Sequence, residues 1–342
     1  MEGDLLNKND VIFFMQNKYF KYPRYLQIEI TNRCGLNCPQ CYKESSKPRD
    51  MDLNLFSNIL SEAQKLGVTT VYLNGGEPFI HKEIIHILNM LRQYNFKVYC
   101  FSSGLGITEE ILNEIKKIKE FYLTISLNGS TEKINQLSRD GFEVTVAAME
   151  ILQKSQYSYG INWVCRHDNV YDLHDLIYFI MSKGAKWINI SGNKLTGEGM
   201  LVSPMEPADY LYLKKLIEKF SKEDRKFVRV QYCFNILNDL IDRPVNKWLN
   251  GCNAGVVSCC VNVEGEYMPC THLYYSEEFC SIRDYWNDSL VLQQLRNARL
   301  NKKKCSKCNK DRECYFCRAL SIETYTNFEA DFESCPLLNF YD

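Results

Sequence analysis

Sixteen cysteines in 342 residues restrict this chain more than any other feature. The start, MEGDLLNKND, lacks the basic region and apolar run of a signal peptide, and no apolar stretch reaches the roughly 18 residues of a membrane span. The protein is therefore expected in the cytoplasm, without membrane contact, where disulfides are rare and closely spaced thiols more often ligate metal. The cysteines fall into two groups. Cys34, Cys38 and Cys41 lie in TNRCGLNCPQCYK; Cys252, Cys259, Cys260, Cys270, Cys280, Cys305, Cys308, Cys314, Cys317 and Cys335 crowd residues 252–342; only Cys100, Cys165 and Cys233 lie between. This distribution reads as two metal-bearing regions joined by a cysteine-poor middle.

The middle alternates between strand and helix. Six β-branched and aromatic runs, Tyr25 to Thr31, Thr70 to Asn74, Lys97 to Ser102, Phe121 to Leu127, Gly160 to Cys165 and Trp187 to Ser191, predict strands. Between them, Leu53 to Leu66, His81 to Tyr94, Glu109 to Lys119, Gly141 to Lys154 and Leu173 to Lys183 carry apolar residues at helical spacing. Such alternation implies an α/β fold with a parallel sheet, and six units predict a partial (β/α)6 TIM-like barrel; an open doubly wound sheet is the other architecture this pattern allows. In both, ligands bind where the strands end, and there the chain places Asn74-Gly75-Gly76-Glu77-Pro78, Ser102-Ser103-Gly104 and Ser126-Leu127-Asn128-Gly129. The first three cysteines follow the first strand, so they share that face.

Three thiolates on one short loop suit three irons of a four-iron cluster and leave the last iron open. A structural zinc would want four protein ligands, and the nearest histidine, His81, is far along the chain. With 41 Lys and Arg against 42 Asp and Glu, no basic excess exists to hold a phosphate backbone, so no nucleic-acid partner is expected.

The pattern Cys34-x3-Cys38-x2-Cys41 with Tyr42 next, followed one strand later by Gly75-Gly76-Glu77-Pro78, resembles the radical S-adenosylmethionine (SAM) superfamily. The resemblance implies that the three cysteines hold a [4Fe-4S] cluster whose open iron chelates SAM, and that reductive cleavage of SAM yields a 5′-deoxyadenosyl radical that abstracts hydrogen from a substrate. It implies that Gly75, Gly76 and Glu77 meet the methionine amino group, glycine permitting close backbone approach, and that Ser126 and Arg139 reach the same ligand. Many relatives carry Asp where this chain has Asn128. An external electron donor of the flavodoxin or ferredoxin type is implied as a partner.

The second cysteine group resembles the SPASM extension of such enzymes, which carries two auxiliary iron-sulfur clusters, expected as [4Fe-4S]. Cys252 precedes Gly265-x4-Cys270, then Cys305-x2-Cys308-x5-Cys314-x2-Cys317 and finally Cys335; relatives commonly have three residues between the last close pair. Carried over by position, Cys305, Cys308, Cys314 and Cys335 would hold the outer cluster, and Cys252, Cys270 and Cys317 the inner one, with Cys259 or Cys260 as its fourth ligand. Read alone, the Cys305 to Cys317 spacing also suits a zinc ribbon. Cys100, Cys165, Cys233, Cys280 and the unused member of the adjacent pair are expected to pack as buried apolar groups.

The expected organisation is an N-terminal segment over 1–24, the barrel over 25–204, a bridging region over 205–251 and the SPASM domain over 252–342. Relatives of this kind mostly modify peptides and proteins by crosslinking, oxidation or epimerisation, and a minority act on sugars or small alcohols, so a peptide or protein substrate is expected and a small-molecule dehydrogenase or epimerase is the alternative. A noncatalytic iron-sulfur or zinc-binding module is the outside reading. Thr271 and His272 follow Cys270 where the sulfatase-maturing branch has a catalytic Asp, which makes His272 the candidate acid or base. Only 24 residues precede the first strand, so capture of a peptide leader is expected to use the barrel mouth, the cysteine domain or a separate partner.

Overall fold

The computed structural model describes residues 8–43, 47–230, 252–300, 317–320 and 326–328. Its helices are α1 (Lys8–Asn17), α2 (Leu53–Leu66), α3 (Ile84–Leu91), α4 (Glu109–Ile115), α5 (Glu132–Asn135), α6 (Phe142–Lys154), α7 (Leu173–Ser182), α8 (Pro207–Lys219), α9 (Lys222–Phe227), α10 (Ile282–Asp288) and α11 (Leu290–Leu300). Its strands are β1 (Tyr25–Thr31), β2 (Thr70–Gly75), β3 (Lys97–Ser102), β4 (Phe121–Ser126), β5 (Tyr159–Cys165), β6 (Trp187–Gly192), β7 (Val228–Val230), β8 (Ser258–Val261) and β9 (Tyr267–Met268). They form one sheet in the order β7-β6-β5-β4-β3-β2-β1-β8-β9. All neighbours run parallel except β8 and β9.

Period-two alternation sorts each strand's side chains. Val71, Leu73, Val98, Cys100, Leu123 and Ile125 are wholly buried and share a core with Phe56, Leu60 and Ala63 of α2 and Ile87 and Leu91 of α3. Their neighbours Tyr72, Tyr99 and Tyr122 face the other way, toward the lumen, and stay half-buried. Helix boundaries follow local chemistry as well. The Asp52 carboxylate accepts from the backbone N–H groups of Asn54 and Leu55 at the start of α2, and Gly67, at φ +80°, closes it in a conformation that strains any residue with a Cβ.

The six predicted strands are β1 to β6. Beyond them the sheet continues on both sides. β7 adds to β6, and β8 pairs in parallel with β1, Gln27 opposite Cys260. Among the described residues, 252–300 therefore share the barrel's sheet and core. The N-terminal segment docks on the same edge: Phe14 and Phe20 cluster with Val256 and Val257, and the Phe20 carbonyl accepts from Trp286 Nε1 at 2.9 Å. No helix among the described residues is long and apolar enough to cross a membrane.

Candidate active site at the carboxyl ends of the strands

The loop leaving β1 is tied down at both ends. Thr31 Oγ1 donates to Asp50 Oδ1 at 2.6 Å and accepts from the Arg33 N–H at 3.1 Å, closing the base of the excursion that carries the cysteines. Higher up, the Gln40 N–H donates to the Ser138 carbonyl at 3.0 Å, and Gln40 Oε1 accepts from Nη1 of the fully buried Arg166 at 3.3 Å. The Gly199 N–H donates to the Cys41 carbonyl at 3.2 Å. Cys34 is exposed and Cys38 and Cys41 are half-buried. Burial pushes the Cys34 and Cys41 thiols up, and the nearby Cys38 sulfur adds repulsion to both. Thiols raised in this way ionise more readily beside a cationic group, which is the chemistry an iron cluster supplies. Among the described residues, no three His, Cys, Asp or Glu side chains converge as they would on a single ion.

Gly75 and Gly76 serve the cysteine loop. Gly75 sits at φ +135°, and a Cβ there would lie 2.0 Å from the Thr31 carbonyl oxygen; a Cβ on Gly76 would lie 2.0 Å from that of Arg33. Their missing side chains let this turn seat directly on the loop, with the Gly76 N–H donating to Thr31 and the Glu77 N–H to Arg33, both at 2.8 Å. Glu77 is buried, and its carboxylate is occupied. One oxygen accepts from Ser102 Oγ at 2.8 Å and the Phe79 N–H at 3.2 Å; the other accepts from the Ser103 N–H at 2.7 Å and Ser103 Oγ at 2.6 Å. The Glu77 side chain thus braces β2 against the end of β3. Burial raises its pKa, with these four donors opposing.

Ser126 and Arg139 both line the cavity above the strands. Arg139 Nε is buried with no partner, and its charge opposes, without outweighing, the rise that burial imposes on the Cys41 thiol. A cationic side chain that lines a cavity fits an anionic ligand such as a carboxylate. Asn128 is wholly buried instead. Its Nδ2 donates to Ser138 Oγ at 2.9 Å and its Oδ1 accepts from the Val164 N–H at 3.1 Å, a two-sided role that an ionised aspartate does not fill.

The second cysteine set faces the same cavity. Cys252, Cys270 and Cys317 line it, and burial followed by mutual repulsion raises Cys252 and Cys270. Cys259 and Cys260 sit on opposite faces of β8. Cys259 pairs with the core residue Leu26 and feels Arg296 and Glu62, whereas Cys260 pairs with lumen-facing Gln27 and feels Cys270. Cys305, Cys308, Cys314 and Cys335 lie outside the described residues, as does Cys233. Cys100 and Cys165 are buried in the core as expected, but Cys280 is exposed, which corrects its reading as a packed apolar group.

His272 lines the same cavity. Its ring lies 4.4 Å from that of Tyr42, and burial, aided by the Lys194 charge, pushes the imidazole down to about 3. The ring thus lies between Tyr42, next to Cys41, and the Cys270 turn. Its backbone N–H donates to Cys270 Sγ at 3.4 Å. Sequence reasoning also missed the buried pair Glu29–Lys43, at 2.9 Å beside Tyr42, because its partners come from different elements.

Residues 28–179 match the family model of the Radical SAM superfamily. A curated relative, the AdoMet-dependent heme synthase of Methanosarcina barkeri, is 24% identical over 322 residues, covering 87% of this chain and 91% of that protein. Among solved structures, Streptococcus suis SuiB bound to precursor peptide SuiA superposes with a TM-score of 0.76 at 18% identity, over 93% of this chain and 79% of that one. Native anSMEcpe with bound AdoMet and Cp18Cys peptide gives 0.72 at 18% identity, over 93% and 96%. These two likenesses are of fold, and the matched sequence model covers β2 to β5, the end of β1 and the loop that carries Cys34, Cys38 and Cys41. Over residues 28–179 this chain carries a radical SAM domain, and the protein is an enzyme.

Proposed function

We propose that this enzyme cleaves SAM reductively and abstracts hydrogen from a peptide or protein side chain. The observation that carries the reading is one cavity of about 1300 Å³, lined at once by both cysteine sets, the glycine turn, Arg139 and the barrel lumen. That volume exceeds the roughly 300–1,000 Å³ of a drug-sized site, leaving room for a chain segment beside a nucleoside cosubstrate. SuiB and anSMEcpe, bound to peptides in their structures, support a peptide partner. The heme synthase relative favours a second reading, a small-molecule substrate on the same chemistry.

Cys34, Cys38 and Cys41 would hold the catalytic cluster, which supplies, with SAM on its open iron, the electron and the primary carbon radical. The chain's own part is placement. Arg139 would draw the methionine carboxylate, the backbone of Gly75 to Glu77 would face the amino group, and Ser126 would reach in from β4. Cys252, Cys260, Cys270 and Cys317 would hold the inner auxiliary cluster, with Cys260 preferred over Cys259 because it shares the lumen face of β8. Cys305, Cys308, Cys314 and Cys335 would hold the outer one. Electrons would come from a flavodoxin- or ferredoxin-type donor.

Anaerobic reconstitution with SAM, reductant and candidate peptides tests this. Formation of 5′-deoxyadenosine with a peptide losing two hydrogens, or keeping its mass in H2O and gaining one deuterium in D2O, supports it; 5′-deoxyadenosine turnover only with small molecules supports the second reading. A protein purified without oxygen as a zinc-loaded, iron-free species defeats both. For the auxiliary site, Cys260→Ser should lower the iron content while Cys259→Ser leaves it near wild type.

A further inference from the structure

Barrel lumens are ordinarily filled by branched aliphatic side chains. Midway along β5 and β6, two carboxamides stand side by side in this lumen instead. Asn162 and Asn189 are opposite each other on the two strands, and Asn189 Nδ2 donates to Asn162 Oδ1 at 2.7 Å. Their chain neighbours Ile161, Trp163, Ile188 and Ile190 are wholly buried in the core, so period-two alternation turns both amides to the lumen, where they line the cavity half-buried. On the other side of Asn162, Ser126 of β4 continues the row. The pair therefore lies next to the residue proposed to reach SAM from β4.

One hydrogen bond leaves this pair half used. It consumes one donor of Asn189 and one lone pair of Asn162, and among the described residues the two carboxamides make no other. Left for a ligand are the N–H groups of Asn162 and the carbonyl of Asn189. Turning both amides over exchanges these roles and still leaves a donor on one strand and an acceptor on the next. A ligand that excludes water here must replace both kinds of bond. A carboxylate offers acceptors alone, an ammonium donors alone, and an aliphatic group neither. A hydroxyl offers both from a single atom, whereas these groups stand on strands about 4.8 Å apart. An amide offers both from two atoms. In an extended peptide the N–H and C=O of one residue point to the same side, as they do in a sheet.

We propose that the Asn162–Asn189 pair is a substrate-recognition site for an amide, and that in a peptide it holds the N–H and C=O of one extended residue beside the cosubstrate that Ser126 reaches. The inference rests on the peptide reading of this cavity. Recognition through the backbone leaves the side chain of the held residue free to meet the radical.

Isothermal titration of the reconstituted, SAM-loaded protein tests this with two neutral probe pairs. In the first, N-acetylphenylalanine N-methylamide is compared with O-acetylphenyllactic acid N-methylamide, where oxygen replaces the residue's N–H. In the second, benzamide is compared with acetophenone. The peptide mimic that keeps its N–H should bind about tenfold tighter than the ester. That preference should fall to within about twofold in Asn162→Leu/Asn189→Leu, or in Asn162→Ala/Asn189→Ala should the first not fold, with SAM affinity unchanged. Preference within the benzamide pair alone, with no binding by either peptide mimic, keeps the amide site and removes the peptide reading. Equal binding within both pairs, no binding by any probe at millimolar concentration, a preference that survives the substitutions, or a parallel loss of SAM affinity overturns the proposal and leaves the peptide reading to its own turnover assay.

Discussion

At the scale of single residues, the side chains that define this site mostly hold other protein groups in place. Glu77 is the clearest case, because its carboxylate answers four donors from Ser102, Ser103 and Phe79 in a buried setting. Replacing it with Ala leaves those donors without an acceptor, and Glu77→Ala should destabilise the protein by about 2 to 3 kcal/mol in chemical denaturation. A loss below about 0.5 kcal/mol would mean that water replaces the carboxylate at no cost, and the brace would be discarded. Arg139 differs, since its buried Nε has no partner to lose. Arg139→Gln should therefore leave the melting temperature nearly unchanged while weakening SAM binding about tenfold or more. Comparable losses of both would instead assign the arginine to packing.

At the scale of elements, the end of β5 connects the cysteine loop to α8. Arg166 reaches Gln40, and its neighbour His167 holds Asp209 at 2.9 Å, the residue whose carboxylate also accepts from the Glu206 N–H at the start of α8. The hydrogen bond to Asp209, with its charge, raises the His167 pKa above the ordinary 6.5. A raised folded pKa means that the pairing is complete below 6.5 and is lost as pH climbs through the folded value. Hydrogen exchange across Pro207–Lys219, corrected for its intrinsic rate, should accordingly show weaker protection at pH 8.5 than at pH 6, and His167→Gln should erase the difference. Equal protection at both values in the native protein would contradict the link. Neither long-range link was legible in sequence, because His167 and Asp209 lie 42 residues apart and Arg166 and Gln40 lie 126 apart. The six core strands were legible, since each carries five or more residues of β-branched and aromatic character between turn residues. β8 and β9 span four and two residues, too short for alternation to register, and only the pairing of Gln27 with Cys260 shows which of two adjacent cysteines faces the lumen.

At the scale of the whole molecule, the two cysteine regions share one sheet, and this determines what iron removal will do. Cluster binding contributes folding free energy most where little apolar core is available. The barrel does not need it, because β1 to β6 and their helices bury a continuous apolar core of their own. β8 is also protected, being bonded to β1 and carrying Cys259 and Val261 into that core. Cys270 to Leu273 and Arg318 to Leu320 have less: an isolated bridge holds the first, and the second is tied by the Ala319 carbonyl accepting from the Leu195 N–H at 2.8 Å. Anaerobic chelation of iron should therefore leave far-ultraviolet circular dichroism close to that of the loaded protein. Amide protection should fall at 270–273 and 318–320 and persist at 258–261. The loaded protein should carry about 12 irons if all three sites hold four-iron clusters. Global loss of protection on chelation, β8 included, would mean that the clusters organise the barrel itself, and the barrel could then no longer be treated as a scaffold that folds first and receives its metal afterward.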